Sequence, residues 1–184
     1  MRRLACALLL ALATPAWGEA PQSFPGQGTL EAGFAPWDDV EAMVVRAIQD
    51  ARKQILVQAF SFTSRPIARA LIAARARGVD VQVTADRDQT FAGEGSRIPD
   101  LVKGGVPVWL EVRYQSAHNK VMVIDADTST PVVITGSANW TAAAARKNAE
   151  NVLVLRNNHA LTRAYAANWR RHRDDALPYG RNRK

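Results

Sequence analysis

Cysteine is all but missing from this chain. Its 184 residues include one, Cys6, so no internal disulfide can staple the fold and its stability must come from a packed core. Histidine is scarce as well, with three residues. The acidic side chains Asp86, Asp88 and Glu94 are too loosely spaced to form a metal cluster and read as loop charges, so no metal or other cofactor is expected. There is no internal repeat, low-complexity block or interdomain linker, and the length suits one domain with a single core. Acidic residues are outnumbered by basic ones, 17 to 24, giving a net charge of +7 and a pI near 10.2. That balance favours polyanionic partners, nucleic acid or an anionic membrane surface, although a solvated charged face gives the same count. With 47% hydrophobic and 22% charged residues the composition is that of a globular protein, not a disordered one.

The first eighteen residues differ from the rest. Met1-Arg2-Arg3 is a short positive segment, residues 4–17 are apolar and rich in Leu and Ala, and Ala16-Trp17-Gly18 places small residues at a cleavage position. This reads as a secretory signal peptide over 1–18; the run is too short to span a bilayer comfortably, and an uncleaved anchor is the rival reading. The mature protein is then expected in the periplasm or outside the cell. It would lose Cys6, Arg2 and Arg3 and keep a charge of about +5. Residues 19–28 read as a flexible lead-in, 29–177 as the folded domain and 178–184 as a basic tail.

Within the domain, strand-type and helix-type patterns alternate. Strands are expected at 30–35, 55–60, 79–84, 106–112, 120–124, 132–135 and 152–155, and helices from Val40, from Pro66 to Gly78, near 96–103, over 138–146 and from His159 to about Ala176. Asp38 and Ser64 are candidate N-caps, Gly78 a helix-ending residue, and 86–96 a loop. Such alternation implies an α/β architecture with a mixed, mainly parallel β-sheet flanked by helices.

The chemistry concentrates in His118-Asn119-Lys120, with Asp125 after Lys120, and then Gly136-Ser137-Ala138-Asn139. On a strand His118 and Lys120 would share a face, and Asp125, of opposite parity, would not. Ser137 and Asn139 would point together if extended. An imidazole, an ammonium, a hydroxyl and an amide meeting in one pocket suit a phosphodiester: the imidazole attacks phosphorus while the others hold the non-bridging oxygens. His-x-Lys-x4-Asp followed by Gly-Ser-x-Asn resembles the signature of the phospholipase D superfamily, in particular its small bacterial endonucleases with one motif per chain. The resemblance spans roughly 29–176 and includes Gly33-Phe34-Ala35-Pro36, Ala59-Phe60-Ser61-Phe62-Thr63 and Glu150-Asn151. It implies a phospholipase D-like fold and a metal-independent reaction. His118 would form a phosphohistidine, Lys120 and Asn139 would bind phosphate, and Ser137 would support them. Glu150 would orient the imidazole and Asp125 would be structural. Phe60 and Phe62 would flank the pocket or pack in the core, and Trp140 would stack on a base or be buried. His159 and His172 match no motif and read as ordinary residues. The segment 126–135 is longer than the family's usual spacing. A longer hairpin tip accommodates it, whereas a one-residue slip would displace Ser137 and Asn139.

The reaction needs two histidines, one to attack and one to protonate the leaving oxygen. The sequence holds no second His-x-Lys, so a homodimer with both His118 side chains at a two-fold axis is expected. The leading expectation for the substrate is DNA or RNA cut by a non-specific endonuclease. The alternatives are a phospholipid head-group diester or a non-catalytic nucleic-acid-binding module.

Overall fold

The computed structural model describes residues 20–92 and 94–180. The leader segment and the arginines of the tail, Arg181 and Arg183, lie outside them. Eight strands form one sheet: β1 (Thr29–Ala35), β2 (Gln54–Ala59), β3 (Asp80–Asp86), β4 (Val108–Glu111), β5 (Lys120–Ile124), β6 (Val132–Gly136), β7 (Glu150–Arg156) and β8 (Leu177–Pro178). Their order across the sheet is β1-β7-β6-β5-β2-β3-β4-β8. The sheet is mixed, as expected, but parallel pairing is confined to β2-β3-β4; every other neighbour is antiparallel. The reason is connectivity. β2, β3 and β4 are joined through helices, which return the chain to the same edge, whereas the short turn after β5 forces a hairpin.

Helices α1 (Val40–Asp50), α2 (Arg65–Ala76), α3 (Arg87–Ala92), α4 (Ile98–Lys103) and α5 (Ala142–Arg146) precede a long α6 (His159–Asp175). In α1 the apolar residues Val40, Met43, Val44, Ala47 and Ile48 recur at helical spacing and are buried against one face of the sheet, where Ile55, Val57, Met122 and Ile124 point. The other face presents Leu56, Val121 and Val123, which α6 covers with Ala166 and Trp169. Trp169 is 1% exposed, and its indole N–H donates to Val57 O at 2.9 Å.

Several expectations need correcting. Asp39, not Asp38, caps α1, its carboxylate accepting from Ala42 N; Asp38 instead accepts from Phe34 N. Residues 86–96 are not wholly loop, because Arg87–Ala92 forms α3. Residues 138–141 are not helical. Trp140 bridges to Phe62 and Thr141 caps a shorter α5. Ser64 caps α2 as expected, accepting from Ile67 N, and Gly78 follows that helix at φ +91°.

Candidate active site

The strand directions gather one set of ends. β2, β3 and β4 finish at Ala59, Asp86 and Glu111. The antiparallel register Ala59↔Lys120 brings the start of β5 to the same edge, and Gly136↔Val152 with Ala35↔Glu150 adds the end of β6, the start of β7 and the end of β1. Open α/β sheets bind ligands outside the carboxyl ends of their parallel strands. The motif residues lie along this edge, except one.

His118 is exposed and belongs to the connection 112–119, two residues before the strand begins, so it does not share β5 with Lys120 as the spacing implied. Its ring lies 4.3 Å from the Phe60 ring, centroid to centroid, and the neighbouring Asn119 carbonyl accepts from Phe60 N at 3.1 Å. Lys120 opens β5 and is buried. Its Nζ donates to His118 O at 2.7 Å and sits 4.9 Å from the centre of the Phe60 ring. One ammonium therefore grips the backbone of the histidine, and one aromatic ring touches both groups. Burial pushes the Lys120 pKa below its usual value, because desolvation penalises the charged form; the Glu150 carboxylate pulls it partly back.

At the end of β6, Gly136 takes φ +150°, and a Cβ there would come within 2.2 Å of Asn151 O. Glycine is what lets the strand pass so close to β7. Ser137 N then donates to Asn151 O at 3.1 Å, and Ser137 Oγ donates to Glu150 Oε2 while accepting from Asn151 N at 3.0 Å. The Ser137 hydroxyl thus ties β6 to the Glu150 carboxylate. Glu150's other oxygen accepts from Asn148 Nδ2 at 3.2 Å. The expected bond from Glu150 to the His118 imidazole is not formed: Ser137 and Asn148 occupy the carboxylate, which acts instead on the charge of Lys120. Asn139 is half-buried, and its Oδ1 is a buried acceptor with no partner among the described residues.

Asp125 lies at the opposite edge. Its carboxylate accepts from Arg52 N, Lys53 N and Gln54 N at 2.8, 2.7 and 2.9 Å. Its backbone, at φ +53°, starts the turn into β6. It ties the turn after β5 to the connection between α1 and β2, and it lies off the edge that carries the other motif residues. A concavity of about 580 Å³, lined by Arg52, Asp125, Thr130 and Arg156 among others, lies at this far edge, away from the motif. The long segment 126–135 is accommodated at the hairpin tip: β5 and β6 pair in register from Val121↔Thr135 to Ile124↔Val132, and Ser137 keeps its place.

Other residues divide as follows. Phe60 flanks the site, whereas Phe62 is buried in the core. Trp140 is buried and donates to Gln58 O at 3.0 Å, so it is no stacking surface. His159 opens α6, and His172 Nδ1 lies 2.6 Å from the buried Glu111 carboxylate. The sequence reading passed over Asp86, a supposed loop charge. It is 6% exposed at the end of β3, and its Oδ2 accepts from Ala117 N at 2.9 Å, directly before His118. The one signal available was its position just after the alternating run 79–84.

The family described as "Cardiolipin synthase, PLD-like domain" matches residues 44–172. A phospholipase D from Rickettsia conorii is 35% identical over 136 residues, 74% of this chain. The mouse mitochondrial cardiolipin hydrolase is 33% identical over 142 residues, 77% of this chain. The chain spans 65% and 62% of the length of these two relatives. Among solved structures, Nuc from Salmonella typhimurium, described as a phospholipase D family member, superposes with a TM-score of 0.77 at 30% identity, covering 83% of this chain and 99% of that one. NucT from Helicobacter pylori has the same fold, at a TM-score of 0.74 and 24% identity, covering 83% of this chain and all of that one.

Proposed function

The chain belongs to the phospholipase D superfamily, and on that premise we propose that it is a metal-independent phosphodiesterase that cuts DNA or RNA through a phosphohistidine at His118. The observation that carries this reading is the exposed His118 imidazole beside the buried Lys120 ammonium, with Ser137, Asn139 and Glu150 on the same sheet edge. In the first step an imidazole nitrogen forms a bond to phosphorus and the bond from phosphorus to the leaving oxygen breaks. Lys120 and the Asn139 amide hold the non-bridging oxygens, where donors are worth about 2.7–4 kcal/mol each to the transition state. A second imidazole protonates the leaving oxygen. It then takes a proton from water, which attacks phosphorus and frees His118.

Neither His159 nor His172 is placed to be that second group. His159 begins α6 at the end of β7 remote from Glu150, and His172 is engaged by Glu111. The His118 of a second copy across a two-fold axis supplies it, and the exposure of His118 leaves it open to such a partner.

Nucleic acid is the favoured substrate. The net charge, +7 for the full chain and about +5 without the leader, attracts a polyanion, and the chain matches nearly the whole of Nuc. A second reading, the diester of a phospholipid head group, is favoured by apolar residues exposed on and beside β1. Leu30, Phe34 and Trp37 are 68%, 53% and 83% exposed, and Trp37 lies near the catalytic edge. No helix among the described residues is long and apolar enough to cross a membrane. Residues 19–184 incubated in EDTA with plasmid, single-stranded DNA, RNA and cardiolipin vesicles, beside His118→Ala, decide between them. Cleavage of nucleic acid that vanishes in the variant supports the first reading; release of lipid head groups alone transfers the proposal to the second.

A further inference from the structure

The nucleophile stands on a loop, and a loop does not by itself hold an imidazole to the tolerance that in-line attack on phosphorus demands. Between Glu111 and Lys120 the chain has no strand or helix. What holds the His118 end of this segment is a side chain from elsewhere. Asp86 finishes β3, is 6% exposed, and divides its two carboxylate oxygens between the start of α3 and the loop that carries His118. Oδ1 accepts from Gln89 N at 2.9 Å in the first turn of α3, and Oδ2 accepts from Ala117 N at 2.9 Å. Ala117 is itself only 4% exposed, so its N–H has no access to bulk water and depends on that oxygen. The bond crosses 31 residues of sequence and lands one residue before His118.

We propose that Asp86 is a positioning residue for the reaction, fixing the His118 imidazole through the Ala117 N–H. This rests on the phosphohistidine reading above. It is distinct from the placement of Lys120, which grips the other side of the same residue through His118 O. Each flank of the nucleophile is thus pinned from a different strand: the residue before it from β3, and its own carbonyl from β5. The role calls for a carboxylate. Both oxygens accept backbone N–H bonds, and an asparagine would set its own NH2 against one of the two donors. An error of about 1 Å in the placement of a reacting group can cost on the order of 100-fold in rate.

Asp86→Asn should lower kcat about 10- to 100-fold while substrate affinity stays within about twofold. Gln89→Pro is the control. It removes the other N–H that Asp86 accepts, a first-turn N–H that no carbonyl of α3 needs, and leaves Ala117 bonded; it should keep kcat within about threefold of wild type. Ala117→Pro deletes the donor itself with Asp86 intact and should match Asp86→Asn, which covers the case in which Asp86→Asn does not fold. A second readout needs no turnover: the imidazole NMR signals of His118, assigned with His118→Ala, should move in Asp86→Asn and Ala117→Pro and stay put in Gln89→Pro. Unmoved His118 signals in the first two variants overturn the proposal. So does an equal loss of kcat in Gln89→Pro, which would reduce Asp86 to a cap for α3. If wild-type protein cleaves no diester, the functional reading fails, and the NMR comparison still decides whether Asp86 places the histidine.

Discussion

Lys120 is where the chemistry and the energetics of this molecule oppose each other. An ammonium buried beside Phe60 is costly, and its lowered pKa expresses that cost. The sign follows directly: between the lowered value and the usual 10.5 the unfolded chain holds more protons than the folded one, so stability rises with pH through that window. Under the proposed mechanism catalysis runs the other way, because phosphate binding would need the ammonium, and activity should fall as pH rises through the lowered value. Glu150 is the group that resists the shift. Glu150→Gln should therefore move the alkaline limb of the pH–rate profile to lower pH; a limb that stays where it is would deny Glu150 this role. Lys120→Met should cut turnover by about 100- to 1,000-fold while raising Tm, and a lowered Tm would show that the bond to His118 O outweighs desolvation. These roles were only partly legible in the sequence. The residue types at 118, 120, 137 and 139 announced phosphate chemistry. That Glu150 answers to Ser137 and Lys120 and not to His118 depends on the close approach of β6 to β7 at Gly136, which no local pattern encodes.

The parts of the fold read best from sequence were those with a strong period: α1, α2, α6 and the hairpin strands β5 and β6. Those missed were short or decided by distant partners. The six residues of α3 are too few to show a helical stripe, and β8 is a two-residue pairing with β4 that exists only because α6 delivers the chain there. Of residues 138–141 only Ala138 is a strong helix former, and the bridge from Trp140 to Phe62 keeps this stretch out of the helix, which begins after Thr141. The resemblance implied a structural Asp125, in agreement with its parity, and its observed contacts are mechanical. Its carboxylate closes three N–H groups between α1 and β2, so Asp125→Asn should cost about 2–4 kcal/mol in denaturant unfolding, while asparagine still tolerates the positive φ. Turnover per folded molecule should not change. A proportionate loss of kcat in fully folded Asp125→Asn would place this far clasp in the catalytic machinery after all.

At the scale of the whole molecule, the proposed mechanism, with one motif per chain, would make catalysis a property of a pair. If each site uses both His118 side chains, re-associating wild type with His118→Ala in equal amounts should leave about a quarter of the wild-type activity, because active dimers scale as the square of the wild-type fraction. Half the activity would mean that each chain works alone. The net positive charge sets a second property of the whole: affinity for DNA should fall linearly on a log–log plot against salt, and a flat plot would remove nucleic acid from the proposal. The claim on which the rest depends is the covalent intermediate. Mixing the protein with labelled DNA in EDTA, quenching within one turnover and mapping the adduct by mass spectrometry tests it most directly. The account predicts a phosphoramidate on His118, labile in acid and stable in alkali, and absent from His118→Ala. DNA cleavage that EDTA abolishes, with no adduct on His118 at any time point, would contradict it.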